Sequence, residues 1–299
     1  MKLFFPKIKI FFFIKICLCF YFSLYFYFNK LVKSKLKLKK MKLSVVIPVY
    51  NSSKILNKLS FEINSYLEPM FKGEFEIIFV NDCSTDESWI VIKTLTSKYN
   101  FIKGINLENN VGQHGAIFIG LTKCKGDRII LMDDDLQHPP SFLLSIYKKL
   151  DHCDVCYTIY KKRKHVLWKV LISSTNNIFS SFIFNKPFNI YLSSLKGLNK
   201  NIKDSFINSN PDIPFIDSLI LKNTDKISNV EIVHQDRLEG TTNYDLKKLF
   251  ILWFDMIENF HFYPIRFGSL IGILSYGVIK VIRMFKKKKF SYSIKEMTF

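Results

Sequence analysis

Between positions 43 and 160 the chain alternates between two hydrophobic rhythms. Short apolar runs rich in β-branched and aromatic residues occupy 43–49, 75–80, 102–106, 128–132 and 155–159. Each is bounded by polar or turn-forming residues, so each reads as a strand. Between them, over 53–70, 85–99, 113–124 and 140–150, apolar residues recur at three- and four-residue spacing, which predicts helices. Ser52 or Ser53 is the expected N-cap of the first helix. Asp86 and Glu87 are expected in the first turn of the second, where the helix dipole favours acids. Strands alternating with helices imply a mostly parallel sheet covered on both faces, an α/β fold. No internal repeat or low-complexity tract interrupts this region.

The ends obey different rules. Residues 10–28 are almost all apolar, interrupted by Lys15, and are long enough to span a bilayer. A run of lysines over 30–40 would hold the downstream chain on the cytosolic side. Met41-Lys-Leu-Ser also reads as a protein start, which would make 1–40 leader sequence; both readings stand. Residues 245–262 place Leu246, Leu249, Phe250, Trp253, Ile257 and Phe260 at helical spacing. That suits an amphipathic helix at a membrane interface or an ordinary core-facing helix. Residues 267–282 form an apolar run that is short for a span, with Lys280 inside and Lys286–Lys289 after it. A re-entrant segment, an in-plane segment and half of a hairpin all fit. The expected organisation is a leader or anchor over 1–40, an α/β domain over 41–244, and over 245–299 membrane-associated helices with a basic tail.

Charge sharpens this division. The chain of 299 residues carries a formal +19, yet 1–40 holds ten lysines and no acid, and 280–299 holds seven bases against one acid. Residues 41–279 keep 27 bases and 24 acids, close to neutrality. Basic flanks beside apolar runs suit an anionic membrane surface. A nucleic-acid protein needs its basic patch on the folded domain, so that class is the weakest reading. The six cysteines make no disulfide framework in a chain this long, which implies a reduced, cytosolic setting. Cys153 and Cys156 form a C-x-x-C without a second pair, a spacing that fits a strand start as well as half of a zinc site.

The chemistry collects where the strands end. After the first strand stand Pro48, Tyr50 and Asn51; after the second, Asn81 and Asp82; after the third, Asn109, Asn110 and Gly112; after the fourth, Asp133, Asp134 and Asp135. Ligands of open parallel sheets bind at this edge. The dinucleotide fingerprint and the phosphate-binding P-loop are both missing from the turn after the first strand. Three adjacent carboxylates repel one another. In extended chain Asp133, Asp135 and Gln137 share one side and Asp134 faces the other. Two carboxylates and an amide oxygen are hard ligands suited to Mg2+ or Mn2+. Pro139 and Pro140 then turn the chain into the next helix.

Taken together, VVIPVYN (45–51), VNDCSTD (80–86), NNVGQHGAIFIGL (109–121), MDDDLQHPP (132–140) and RLEGTTNY (237–244) resemble the inverting family 2 glycosyltransferases of GT-A (Rossmann-like) fold. The likeness covers about 43–285 and is greatest to the branch of dolichyl-phosphate mannose synthase and the undecaprenyl-phosphate sugar transferases. It implies transfer of a sugar from a UDP- or GDP-sugar to a polyprenyl phosphate by a membrane-associated enzyme whose catalytic domain is cytosolic, with room for a homo-oligomer and no nucleic-acid partner. Transfer to a growing surface glycan of O-antigen or capsule type, and a non-catalytic membrane-associated homologue, are the alternatives. Carried onto this chain, Pro48, Tyr50, Asn51 and Gly112 line the nucleotide-sugar pocket and Asp82 holds the base or ribose. Asp133 and Asp135 hold the metal on the diphosphate, with Gln137 beside it, and Arg237 meets phosphate. Gly115 allows close backbone approach, and His114 is structural or catalytic. An anionic acceptor needs no general base, and Arg163 and Lys164 in the cluster 161–164 are candidates to hold it, a solvated charge run being the other reading. The chain departs from the family at Thr242-Asn243-Tyr244, where one cation is lost, and at 191–196, where Lys196 stands in for an arginine and joins Arg163 and Lys164 as a candidate for the acceptor phosphate.

Overall fold

The computed structural model describes residues 41–160, 181, 186–208, 214–232 and 290–299. Among them are eight strands: β1 (Leu43–Val49), β2 (Phe75–Asn81), β3 (Ile102–Leu107), β4 (Arg128–Leu131), β5 (Val155–Tyr160), β6 (Lys196–Asn199), β7 (Ile227–Ile232) and β8 (Ile294–Thr298). The helices are α1 (Leu56–Phe71), α2 (Ser88–Lys98), α3 (Gly112–Lys123), α4 (Ser141–Lys149), α5 (Lys200–Ile207) and α6 (Ile216–Asn223). The strands form one sheet in the order β7-β5-β6-β4-β1-β2-β3-β8. Its centre is parallel, β1 pairing with β2 and β4, and β2 with β3. β6 and β8 enter antiparallel.

β1 and β2 are buried at every position, which is why they read as unbroken apolar runs. Odd-numbered residues of β1 meet α1, α2 and α4 on one face. Val46 meets α3, α5 and α6 on the other. Two residues that look wrong for a central strand have local answers. Glu76 is fully buried, and its carboxylate accepts from Ser44 Oγ at 2.6 Å and Lys125 N–H at 2.6 Å and pairs with Lys103. That satisfies a charge which burial alone would make costly. Pro48 lies inside β1, not after it as the sequence suggested, and is buried. Its missing N–H faces the β4 side, where pairing has already ended at Val46 and Leu131, so no ladder bond is lost.

The sequence pattern is corrected at several boundaries. α1 starts at Leu56 with Ile55 at its N-cap, not at Ser52 or Ser53. α2 starts at Ser88, leaving Asp86 and Glu87 ahead of its first turn. Residues 290–299, expected in a basic tail, return to the domain and supply β8. Trp89 Nε1 donates to Glu296 Oε2 at 2.8 Å, and Phe290 packs edge-on against Phe118. The apolar segments 10–28, 245–262 and 267–282 lie outside the described residues. Among the described ones no helix is long and apolar enough to cross a membrane.

α3 lies close on the sheet because Gly120 has no side chain. A Cβ there would stand 2.4 Å from Val46 Cγ1 and 3.0 Å from Val80 Cγ2. Gly120→Val should therefore lower unfolding stability by about 2 kcal/mol or more, seen as a lower denaturation midpoint at unchanged slope.

Candidate active site

The loops after β1 and β2 are stitched into one platform. Asn51, at φ 55, donates its N–H to Ser84 Oγ at 3.0 Å, and its side-chain oxygen accepts from Thr85 N–H at 2.8 Å. Ser52 N–H donates to Ser88 Oγ at 2.9 Å and Ser53 N–H to Asp86 Oδ2 at 3.0 Å. Asp86 also accepts from Ser88 N–H at 2.9 Å. Partial burial pulls the Asp86 carboxyl up, but the bonds from Ser88 and Ser53 prevail and hold it at about 2. These bonds explain the missed helix start: the Ser52 and Ser53 amides are bonded to the α2 end before α1 begins. Tyr50 stands exposed above this platform.

Asp82 fixes the next element. Its Oδ1 accepts from Val111 N–H at 2.7 Å and its Oδ2 from Gly112 N–H at 2.9 Å. Gly112 turns at φ 79, open to glycine and strained for other residues. Asp82 thus holds the start of α3. Burial raises its pKa, and the two backbone donors offset part of that rise.

The three carboxylates diverge. Asp134 turns toward the β1 loop and accepts from Tyr50 N–H at 3.4 Å. Burial, with repulsion from Asp133, moves it up to about 6 against a bond from Ser52. Asp133 turns toward α3, where Gln113 Nε2 donates to its Oδ1 at 2.6 Å. His138 Nε2 lies 3.9 Å from Asp133 Oδ2 and 3.2 Å from Ser194 Oγ. Burial pushes the Asp133 pKa up and Asp135 adds to it, opposed by the Ser194 hydroxyl, His138 and Lys196. Asp133 nevertheless keeps 23% of its side chain open to solvent. Asp135 Oδ1 accepts from Gln137 N–H at 3.1 Å. Between them Leu136 takes φ 58, a conformation that costs a non-glycine residue roughly 1 kcal/mol or more. The extended alternation expected for 133–137 is broken by a bend over residues 134–136, with Leu136 left-handed ahead of Gln137.

The donor set fits a divalent cation of the Mg2+ or Mn2+ kind. Among the described residues no three His, Cys, Asp or Glu side chains converge into a closed cage. Two carboxylates under mutual repulsion at an open edge are instead the partial site such ions complete with waters and substrate phosphate oxygens.

A second polar cluster lies beside it. Lys196 on β6 pairs with Asp217 at the start of α6, and Tyr157 Oη donates to Asp217 Oδ1 at 2.8 Å. All three are buried. Lys196, expected at the acceptor phosphate, is therefore bound to a carboxylate. His114 packs its ring 4.5 Å from that of Phe215, and its Nδ1 is buried with no hydrogen-bond partner. Burial lowers its pKa to about 4, with Asp217 opposing and Lys196 assisting. Cys153 and Cys156 are buried free thiols at the start of β5.

The expected residues Tyr50, Asn51, Asp82, Gly112, Asp133 and Asp135 thus gather at one edge of the sheet, while Pro48 sits within it. Arg163, Lys164 and Arg237 lie outside the described residues. Gln113, Ser194 and His138 join the site and Asp217 adjoins it, all without a role assigned from the sequence. Gln113 and His138 fall inside the family-like motifs, and position in a motif was the available signal. Nothing local marks Ser194 or Asp217, which the sheet brings in from distant sequence.

A ligand edge above a parallel sheet places the chain among the open α/β folds. Comparison with known proteins narrows that class. The family described as Glycosyl transferase family 2 matches residues 44–205. The undecaprenyl-phosphate 4-deoxy-4-formamido-L-arabinose transferase of Salmonella choleraesuis is 30% identical over 233 residues, 77% of this chain and 71% of that protein. The protein of that name from Salmonella newport matches at the same identity and coverage. Among solved structures, glucosyl-3-phosphoglycerate synthase from Mycobacterium tuberculosis, in complex with Mn2+, UDP and glucosyl-3-phosphoglycerate, superposes with TM-score 0.53 at 18% identity, over 73% of this chain and 78% of that one. S. aureus TarS in complex with UDP-GlcNAc gives TM-score 0.52 at 22% identity, over 73% of this chain and 66% of that one. These share its GT-A-type fold. The chain belongs to glycosyltransferase family 2 and is a glycosyltransferase.

The His114 site has a measurable pH signature. Its ordinary value is 6.5 and its folded value about 4, so its stabilising contribution is complete above pH 6.5 and is lost as pH falls toward 4. Denaturant titrations at pH 7 and pH 4 should show wild type losing up to ~3 kcal/mol more than His114→Leu. Equal losses would show that His114 is not held neutral by the fold.

Proposed function

We propose that this enzyme moves a sugar from a UDP- or GDP-linked donor to a polyprenyl phosphate at a membrane surface, inverting the anomeric carbon. The acceptor printed in the names of its 30%-identical relatives, undecaprenyl phosphate, supports this reading. Within the structure the site offers acids to hold a cation and its two histidines are committed, which leaves Asp134, moved up to about 6, as the remaining candidate for a general base among the described residues. His138 is buried against Ser194, and His114 has its proton affinity suppressed. The neighbouring carboxylate of Asp217 is engaged by Lys196 and Tyr157. A hydroxyl acceptor must lose a proton, whereas a phosphate acceptor arrives as an anion.

The residues divide the work. Tyr50, Asn51 and Gly112 line the nucleotide side, and Asp82 uses its remaining lone pairs for base or ribose while it anchors α3. Asp133 and Asp135 hold a divalent cation, with Gln137 alongside. The cation, when bound, supplies positive charge for the departing diphosphate. An acceptor phosphate oxygen forms the new bond to the anomeric carbon as the bond to the diphosphate oxygen breaks on the opposite face, and no proton is transferred. Arg237, Arg163 and Lys164 supply cations for phosphate. Lys196 contributes to the potential at Asp133 from within its ion pair.

The membrane setting rests on the apolar and basic character of 245–289. β7 ends at Ile232 and β8 lies in the same sheet, so the intervening chain leaves from and returns to one domain.

Membranes carrying the full chain, given Mn2+, polyprenyl phosphate and a panel of labelled nucleotide sugars, test the reading. Label from one donor should enter the lipid phase, and Asp135→Asn should reduce it on the order of 100-fold or more. Transfer to a soluble glycan without lipid labelling would replace the acceptor. Nucleotide binding without any transfer would point to the non-catalytic homologue.

A further inference from the structure

Gln113 has no part in the transfer chemistry, yet it touches the acid at the centre of the site. It occupies the first turn of α3, immediately after Gly112, whose amide is held by Asp82. Gln113 is exposed, so packing does not dictate where its amide goes. That amide nevertheless donates to Asp133 Oδ1 at 2.6 Å. On the other side of the same carboxylate stand Ser194 and His138, themselves in hydrogen-bond contact at 3.2 Å. The carboxylate is gripped from two elements distant in sequence, and Asp82 aims one of them, α3.

A carboxylate at the end of a strand has a broad terminal torsion, and its two oxygens sweep a wide arc unless something stops them. A cation ligand has to present one lone pair in a fixed direction. A neutral donor on one oxygen does this without adding a positive charge that would compete with the metal. An amide therefore suits the position better than an ammonium.

We propose that Gln113 is a positioning residue for the metal site: its amide fixes the orientation of Asp133 and so sets how tightly a divalent cation binds. This rests on the reading of Asp133 and Asp135 as cation ligands. It adds a mechanical link, because Asp82 on the nucleotide side and Asp133 on the metal side are joined through Gly112 and Gln113, two consecutive residues of one helix turn.

The test titrates Mn2+ into the full chain in detergent with UDP, and in parallel with GDP, reading bound ion by electron paramagnetic resonance. Gln113→Met keeps length and removes the donor, and should weaken Mn2+ on the order of 10- to 100-fold. Gln113→Lys puts a cation against Asp133. It should weaken Mn2+ further without lowering the melting temperature of the metal-free protein, a split that loss of a purely structural contact would not produce. A Lys58→Ala control on α1 should leave both readings at wild-type values. If both Gln113 variants bind Mn2+ as wild type does, the positioning role is overturned and the metal reading stands. If wild type fails to bind Mn2+ with either nucleotide, the metal reading fails and takes this role with it.

Discussion

Like charges at the end of a buried strand are the constraint on which the site depends. Asp133, Asp134 and Asp135 follow β4 one residue on, after Met132, where partial burial leaves their charges poorly screened. The fold relieves the crowding by sending them apart. Asp134 goes to the Tyr50 amide, Asp133 to Gln113, and Asp135 to its own turn. The relief is incomplete, since burial and neighbouring charge still push Asp133 and Asp134 toward protonation. A strained Leu136 and two prolines hold the arrangement in place. Local strain and residual repulsion kept at one edge are what a site for a cation and a diphosphate should show.

The surrounding elements serve that edge. The β1 and β2 loops are bonded to each other without any ligand, and Asp82 starts α3 where Gln113 can reach across. Burying Lys196 with Asp217 and Tyr157 has a second effect. A buried ion pair adds little net stability, and removing one partner would leave an uncompensated charge worth several kcal/mol. It also withdraws the carboxylate from proton chemistry. That suits the proposed phosphate acceptor, which arrives already ionised.

The parallel centre of the sheet was legible because β1 and β2 are buried on both faces, which forces unbroken apolar runs. The acids and amides at the strand ends were legible for a related reason: polar residues immediately after such runs have few structural uses. β6 escaped because its four residues, Lys196–Asn199, include a charge and a glycine and make no apolar run. β7 and β8 are mostly half-exposed or exposed, so they carry neither apolar runs nor clean alternation. The start of α1 was misread because Ser52 and Ser53 look like caps, while their amides bond to Ser88 and Asp86, more than thirty residues away. Ser194 and Asp217 depend on tertiary structure in the same way. Their relevance comes only from β6 lying beside β4 and α6 packing against α3.

The most direct measurement is the anomalous scattering of Mn2+ in crystals grown with a nucleoside diphosphate. The charge arrangement at the end of β4 predicts one peak shared by Asp133, Asp135 and the diphosphate, with Asp134 still turned to the Tyr50 loop. A nucleotide bound in the cleft with no metal beside Asp133 and Asp135, or with the metal held elsewhere, would contradict it.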